Sequence, residues 1–112
     1  MQINARLIDN VVIIDILGEI DLYNSPKIKD VLSENVKNNH KNVIINLGDV
    51  TYIDSSGIGT LIFCRTFLNQ NSGSLKIIKV KDSVKRIFEL TKLNSFFTIF
   101  DSESEAINSF KK

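Results

Sequence analysis

The chain has one cysteine and one histidine in 112 residues, a net charge of only +1, and no long apolar run. Each scarcity removes a class of function. Cys64 has no second cysteine to pair with and no Cys or His neighbour at metal-ligand spacing. In L61-I-F-C-R-T-F67 it reads as a small core residue. The lone histidine, His40, sits in the polar run N38-N-H-K-N42 and is expected as an exposed surface residue rather than a general base. No stretch approaches the ~18 apolar residues that span a bilayer, and the opening M-Q-I-N-A-R lacks the charged-then-apolar order of a secretory signal. The expected location is therefore cytoplasmic, without membrane insertion. A net charge this small gives no bulk attraction to nucleic acid.

The charge is nevertheless uneven. Residues 1–60 hold five basic and eight acidic side chains, whereas residues 61–112 hold nine and five. Lys76, Lys79, Lys81, Lys85 and Arg86 crowd the second half. Such a cluster is either a solvated face or a docking patch for an acidic partner.

A hydrophobic content of 43% with 24% charged residues suits one globular domain over residues 1–112. No Pro/Gly/Ser linker divides it and no 20–50-residue period repeats. Residues 3–8 and 11–17 read as antiparallel strands around Asp9-Asn10, a pair that tolerates the positive φ of a tight hairpin. Ser25-Pro26 predicts the cap and first position of a helix carrying Ile28, Val31, Leu32 and Val36 on one face. Val43 to Leu47 is the near-continuous apolar run of a strand covered on both faces. Ile58, Leu61, Ile62, Arg65 and Leu68 give a second helix, Leu75 to Val80 a strand, and Asp82 a cap for a third helix with Val84, Ile87, Phe88 and Thr91. A short strand near Phe97 to Phe100 precedes a capping box of Ser102 and Glu105, which opens a terminal helix. The expected fold is α/β: a mixed, mostly parallel sheet of about five strands with four helices, in the order ββαβαβαβα.

In such sheets the loops leaving the carboxyl ends of strands carry the site. T51-Y-I-D-S-S-G-I-G-T-L-I62 is one of these loops, at the start of the second helix. It lacks the G-x-S-x-G of a nucleophile elbow, since Ile53 and Asp54 stand where the leading glycine would be. It also lacks the glycine-lysine end of a phosphate loop, and Ile62 occupies the third glycine position of a dinucleotide fingerprint. No catalytic, cofactor or metal residue is expected. Gly57 and Gly59 are explained locally, by a tight turn and by close packing of helix on sheet. One of Asp54, Ser55 and Ser56 should cap the helix. That leaves hydroxyls in surplus, and a serine at a helix amino end is a favourable place for phosphate. Phosphate there would put up to about two negative charges beside Asp54 and, if their loop lies at the same edge, near Glu19 and Asp21.

G18-E-I-D21, V43-I-I-N-L-G-D-V-T-Y-I-D-S-S-G-I-G59, V84-K-R-I-F-E-L90 and T91-K-L-N-S-F-F97 together closely resemble the bacterial anti-sigma factor antagonists of the STAS domain family. The resemblance runs over almost the whole chain. It implies a single non-enzymatic domain that binds an anti-sigma factor serine kinase and so releases a sigma factor. It further implies that the kinase uses Mg-ATP to phosphorylate the first serine after the aspartate, here Ser55, and that a serine phosphatase restores binding. By the same resemblance Asp54 flanks the acceptor, Asp21 contributes to partner contact, and Ser56 with Gly57 presents Ser55. Other STAS domains are non-catalytic subunits of stress-signalling scaffolds or lipid transport complexes, and that is the alternative reading.

Overall fold

The computed structural model describes residues 1–111. Asp9 and Asn10 both take positive φ, 51° and 66°, so the two-residue turn has the handedness that matches strand twist. It joins β1 (Gln2–Ile8) to β2 (Val11–Ile20) in continuous antiparallel register from Ile8 opposite Val11 to Gln2 opposite Leu17. α1 (Ser25–Lys37) returns the chain to β3 (Asn42–Ile53), α2 (Ser55–Gln70) to β4 (Ser74–Ile78), and α3 (Asp82–Leu90) with α4 (Leu93–Phe96) to β5 (Ile99–Phe100). α5 (Glu103–Asn108) follows. The sheet order is β1-β2-β3-β4-β5, with every pair after the first parallel.

Three successive crossovers step in the same direction along the sheet, and right-handedness therefore stacks their helices on one face. That face holds the main core. Ile28 and Leu32 of α1, Leu61, Cys64 and Leu68 of α2, and Val84 and Phe88 of α3 pack on Val12, Ile14, Ile16, Val43, Ile45, Leu47 and Ile77. On the opposite face α5 lays Ala106 and Ile107 over Val11, Ile13, Ile44 and Ile78. Val43, Ile44 and Ile45 are all fully buried, as a strand covered on both faces requires.

The differences from expectation lie at element ends. There are five helices among the described residues rather than four, because T91-K-L-N-S-F-F97 closes into the single turn of α4. β2 runs on to Ile20 and β3 to Ile53, and they stay paired through Glu19 opposite Tyr52. Their register shifts twice, between Asp15 and Leu17 and between Gly18 and Glu19, and the Gly18 φ of 99° absorbs the second slip. Alternation is blurred by that slip, which is why the sequence pattern stops short. Ser25 is not the cap of α1: Asn24 precedes the helix and Ser25 is its first, buried residue. Asp82 likewise falls inside α3, after Lys81, and no side chain caps that end. Ser102 does cap α5, its Oγ accepting from the Glu105 N–H at 3.1 Å, but the Glu105 carboxylate accepts from the Ser102 hydroxyl at 3.2 Å and not from its backbone N–H, so only half of the expected capping box forms.

Candidate functional site

Asp54 is the first residue after β3 and the cap of α2, and both of its carboxylate oxygens are engaged. Oδ1 accepts from the Gly57 N–H at 2.9 Å, while Oδ2 accepts from the Leu22 N–H at 3.2 Å in the loop between β2 and α1. Its own N–H donates to the Ile20 carbonyl at 3.1 Å. One residue thus starts α2 and ties the G18-E-I-D21 end of β2 beside it.

The loop is organised from within as well. Asp21 Oδ1 accepts from the N–H groups of Tyr23 and Asn24 at 3.0 and 3.1 Å. Asn24 Oδ1 accepts from the Asp21 N–H, and Asn24 Nδ2 donates to the Glu19 carbonyl at 2.8 Å. Asp21 and Asp54, singled out in the sequence as partner contacts, both work first as builders of this surface. The conditional placement of Glu19 and Asp21 near Ser55 is met, because their loop is bonded directly to Asp54.

With the cap supplied by Asp54, neither serine is needed for it. Ser55 is the first residue of α2 and is exposed; Ser56 is half-buried. Gly57 is buried beneath them, and a Cβ there would stand 2.6 Å from Ile53 Cγ1 and 2.8 Å from Ile20 Cγ2. Contacts that short force a shift, so glycine is what lets α2 start this close to the sheet. Gly57 shapes the surface and offers it no side chain. Gly59 is different from expectation: nothing lies within 4 Å of a Cβ built on it, so close packing does not explain it.

The loop also brings up residues that motif reading passed over. Leu22 and Tyr23 are 64% and 89% exposed, and Tyr52, opposite Glu19 near the end of β3, is exposed as well. Exposed large apolar and aromatic side chains are characteristic of protein-binding surfaces. The signal was available in the sequence as L22-Y23 between a strand and a proline-started helix, where turn residues are the norm.

Chemical alternatives find little support in the geometry. His40, half-buried rather than exposed as expected, precedes β3, whereas Ser55 follows it, so the strand separates them. Burial pushes the Cys64 thiol up to about 12, which leaves it an inert core group. Among the described residues there is no cluster of His, Cys, Asp and Glu suited to a metal ion, and no helix long and apolar enough to cross a membrane. Of the basic cluster, Lys81, Lys85 and Arg86 line an open groove of about 770 Å³ together with Asp82, Glu89 and Asp101, so its charge is mixed.

A mixed sheet with α1 to α4 on one face and α5 on the other, and an exposed serine next to the Asp54 cap at the carboxyl end of its longest strand, defines a small α/β module built around a surface. The chain belongs to the STAS domain family, whose model matches residues 2–106. It is 34% identical over 82 residues, 73% of this chain and 76% of the relative, to the anti-sigma-B factor antagonist of Staphylococcus aureus. Among solved structures it superposes on a candidate anti-sigma factor antagonist from Thermotoga maritima with a TM-score of 0.90 at 24% identity, covering 98% and 95% of the two chains. The Bacillus cell fate determinant SpoIIAA in its phosphorylated form matches with a TM-score of 0.75 at 20% identity, over 98% and 100%. At those identities the two structures speak for the fold.

Proposed function

We propose that this protein is an anti-sigma factor antagonist of the cytoplasm: its unmodified form binds an anti-sigma serine kinase through the Ser55 end of α2 and so frees a sigma factor, and phosphorylation of Ser55 switches it off. The kinase transfers the γ-phosphoryl group of ATP to Ser55 Oγ. The O–P bond to serine forms as the bond to ADP breaks, and the hydroxyl proton leaves to a base that the kinase supplies. A serine phosphatase reverses the state by hydrolysis, releasing inorganic phosphate. The protein itself is the substrate and the switch, not a catalyst.

The observation that carries this reading is the division of labour at the helix start. Asp54 caps α2, so Ser55 Oγ is exposed and not required by the fold. The first amides of a helix have no partner within it, and with the helix dipole they favour an anion at that position. Phosphate on Ser55 is thus tolerated by the fold while it changes the surface. It adds roughly two negative charges beside Asp54, Asp21 and Glu19, which repels a partner that fits the unmodified form. The names of the curated relatives and the phosphorylated state described for the Bacillus protein support the same reading.

Incubation with the kinase and ATP, followed by peptide mapping in a mass spectrometer, should place one phosphate on Ser55. Ser55→Ala should stay folded and bind whether or not ATP is present, and Ser55→Asp should bind at least about tenfold more weakly. No phosphate on Ser55 together with undiminished binding of Ser55→Asp would overturn the proposal. Recovery of a transporter or a large scaffold in place of a kinase, in pull-downs from the native cell, would favour the subunit reading.

A further inference from the structure

We propose that β1 is a pairing edge for a second copy of this chain, the two β1 strands meeting antiparallel about a twofold axis so that the sheets continue into one another. The inference is independent of the Ser55 switch and rests on a different part of the molecule.

β1 ends the sheet and pairs only with β2 among the described residues. It also lies one strand beyond the helix layer, since α1 crosses from β2 to β3. Ala5 and Leu7 share a face with the core residues Ile14 and Val12, which stand opposite them in the register, yet both are exposed, Leu7 by 55%. In a two-residue turn the carbonyl of Ile8 accepts from the N–H of Val11, which points Ile8 toward β2. Backbone direction alternates along a strand, so the N–H and C=O groups of Ile3, Ala5 and Leu7 point away from β2, toward the open edge.

Solitary edge strands are normally protected by proline, lysine, a bulge or extreme shortness. Gln2–Ile8 has none of these: it is 7 residues long, its register with β2 is unbroken, and it contains neither proline nor lysine. Its one charge, Arg6, lies on the other face and is bound by Asp15 and Glu103, at 2.6 Å each.

The strand is its own complement. Antiparallel pairing centred on Ala5 sets Leu7 opposite the second copy's Ile3, and Arg6 opposite the second copy's Asn4. Apolar meets apolar and no like charges face each other. The same register brings the outward groups of Ile3, Ala5 and Leu7 together in bonded pairs, about six hydrogen bonds in all. A twofold axis needs that self-complementarity, which supports a second copy as the occupant rather than an unrelated strand.

Sedimentation equilibrium of the full chain, from micromolar to millimolar, should show a monomer–dimer equilibrium. Ala5→Pro removes an outward N–H that β2 does not use, and Leu7→Lys places a charge on the bare edge. Each should weaken association at least about tenfold without changing the far-ultraviolet circular dichroism. Amide exchange at Ile3, Ala5 and Leu7 should slow as concentration rises, and the amides of Asn4 and Arg6 should not respond. A chain monomeric throughout the range would overturn the proposal, as would a dimer untouched by Leu7→Lys. That second variant decides the matter even if Ala5→Pro does not fold.

Discussion

Two glycines separated by a single residue illustrate how differently the same residue type is used. Gly57 sits where a methyl group would collide with Ile53 and Ile20, so Gly57→Ala should destabilise the protein by about 1–3 kcal/mol, the usual range for overpacking. Gly59 is exposed, helical and free of any neighbour, and there alanine replaces a residue that is costly in a helix. Gly59→Ala should stabilise by about 0.5–1 kcal/mol. Urea unfolding of the two variants beside the parent checks both signs, and equal destabilisation would contradict this account of Gly59. Nothing in the isolated fold accounts for keeping glycine at position 59. It lies one helical turn beyond Ser55, so an added methyl there also tests how closely a partner approaches that face.

Among the elements, apolar packing is supplemented by one polar network on the α5 side of the sheet. Arg6 of β1 holds Asp15 of β2 through two hydrogen bonds, of 2.6 and 2.9 Å, and reaches Glu103 of α5 at 2.6 Å. Asn46 of β3 adds a bond to Asp15 at 2.8 Å. β1, β2, β3 and α5 are thereby linked through Arg6 and the two carboxylates it binds. The Arg6 guanidinium, opposed by desolvation and helped by Asn46, holds the Asp15 carboxyl below its ordinary range. The folded state therefore takes up that proton less readily than the unfolded chain does. Its contribution is complete above the ordinary carboxylate range and is lost as pH falls below it. Arg6→Met should cost about 1 kcal/mol at neutral pH, a figure that already allows for the solvent screening of a side chain 40% exposed. The deficit should shrink progressively as pH falls below the ordinary carboxylate range, measured by thermal or urea unfolding from neutral to acid pH. A deficit independent of pH would contradict this account of the Arg6–Asp15 pair.

For the whole molecule, burial is concentrated at the middle of the sheet. Ile13, Ile14, Ile44, Ile45 and Ile77 are fully buried, whereas β5 has two residues and α4 four. Local opening follows local burial, so amide exchange in β2, β3 and β4 should require global unfolding, with α4 exchanging sooner. Hydrogen–deuterium exchange followed by NMR would test this, and uniform protection from β2 to α5 would refute it. The candidate site stands on the slow-opening part. Ser55 follows β3, the central strand, and is braced by β2 through Asp54 and Ile20. A phosphate added there would meet a rigid platform, so its effect would fall on the partner and not on the fold.

Periodicity and turn chemistry were enough to establish the α/β class, the element order and the hairpin at Asp9-Asn10. These are local properties: side-chain spacing, backbone preference and capping chemistry act over a few residues and can be read along the chain. The capping of α1 and α3 was misread because Ser25 and Asp82 have the right chemistry but sit one residue inside their helices. Tertiary structure decided the rest. Only the folded chain brings Leu22 and Asp54 together across 32 positions, turns Leu22 and Tyr23 outward, and leaves β1 beyond the reach of the helices. Those outcomes depend on which strands become neighbours, and strand order follows from burial summed over the whole sheet rather than from any short stretch of sequence.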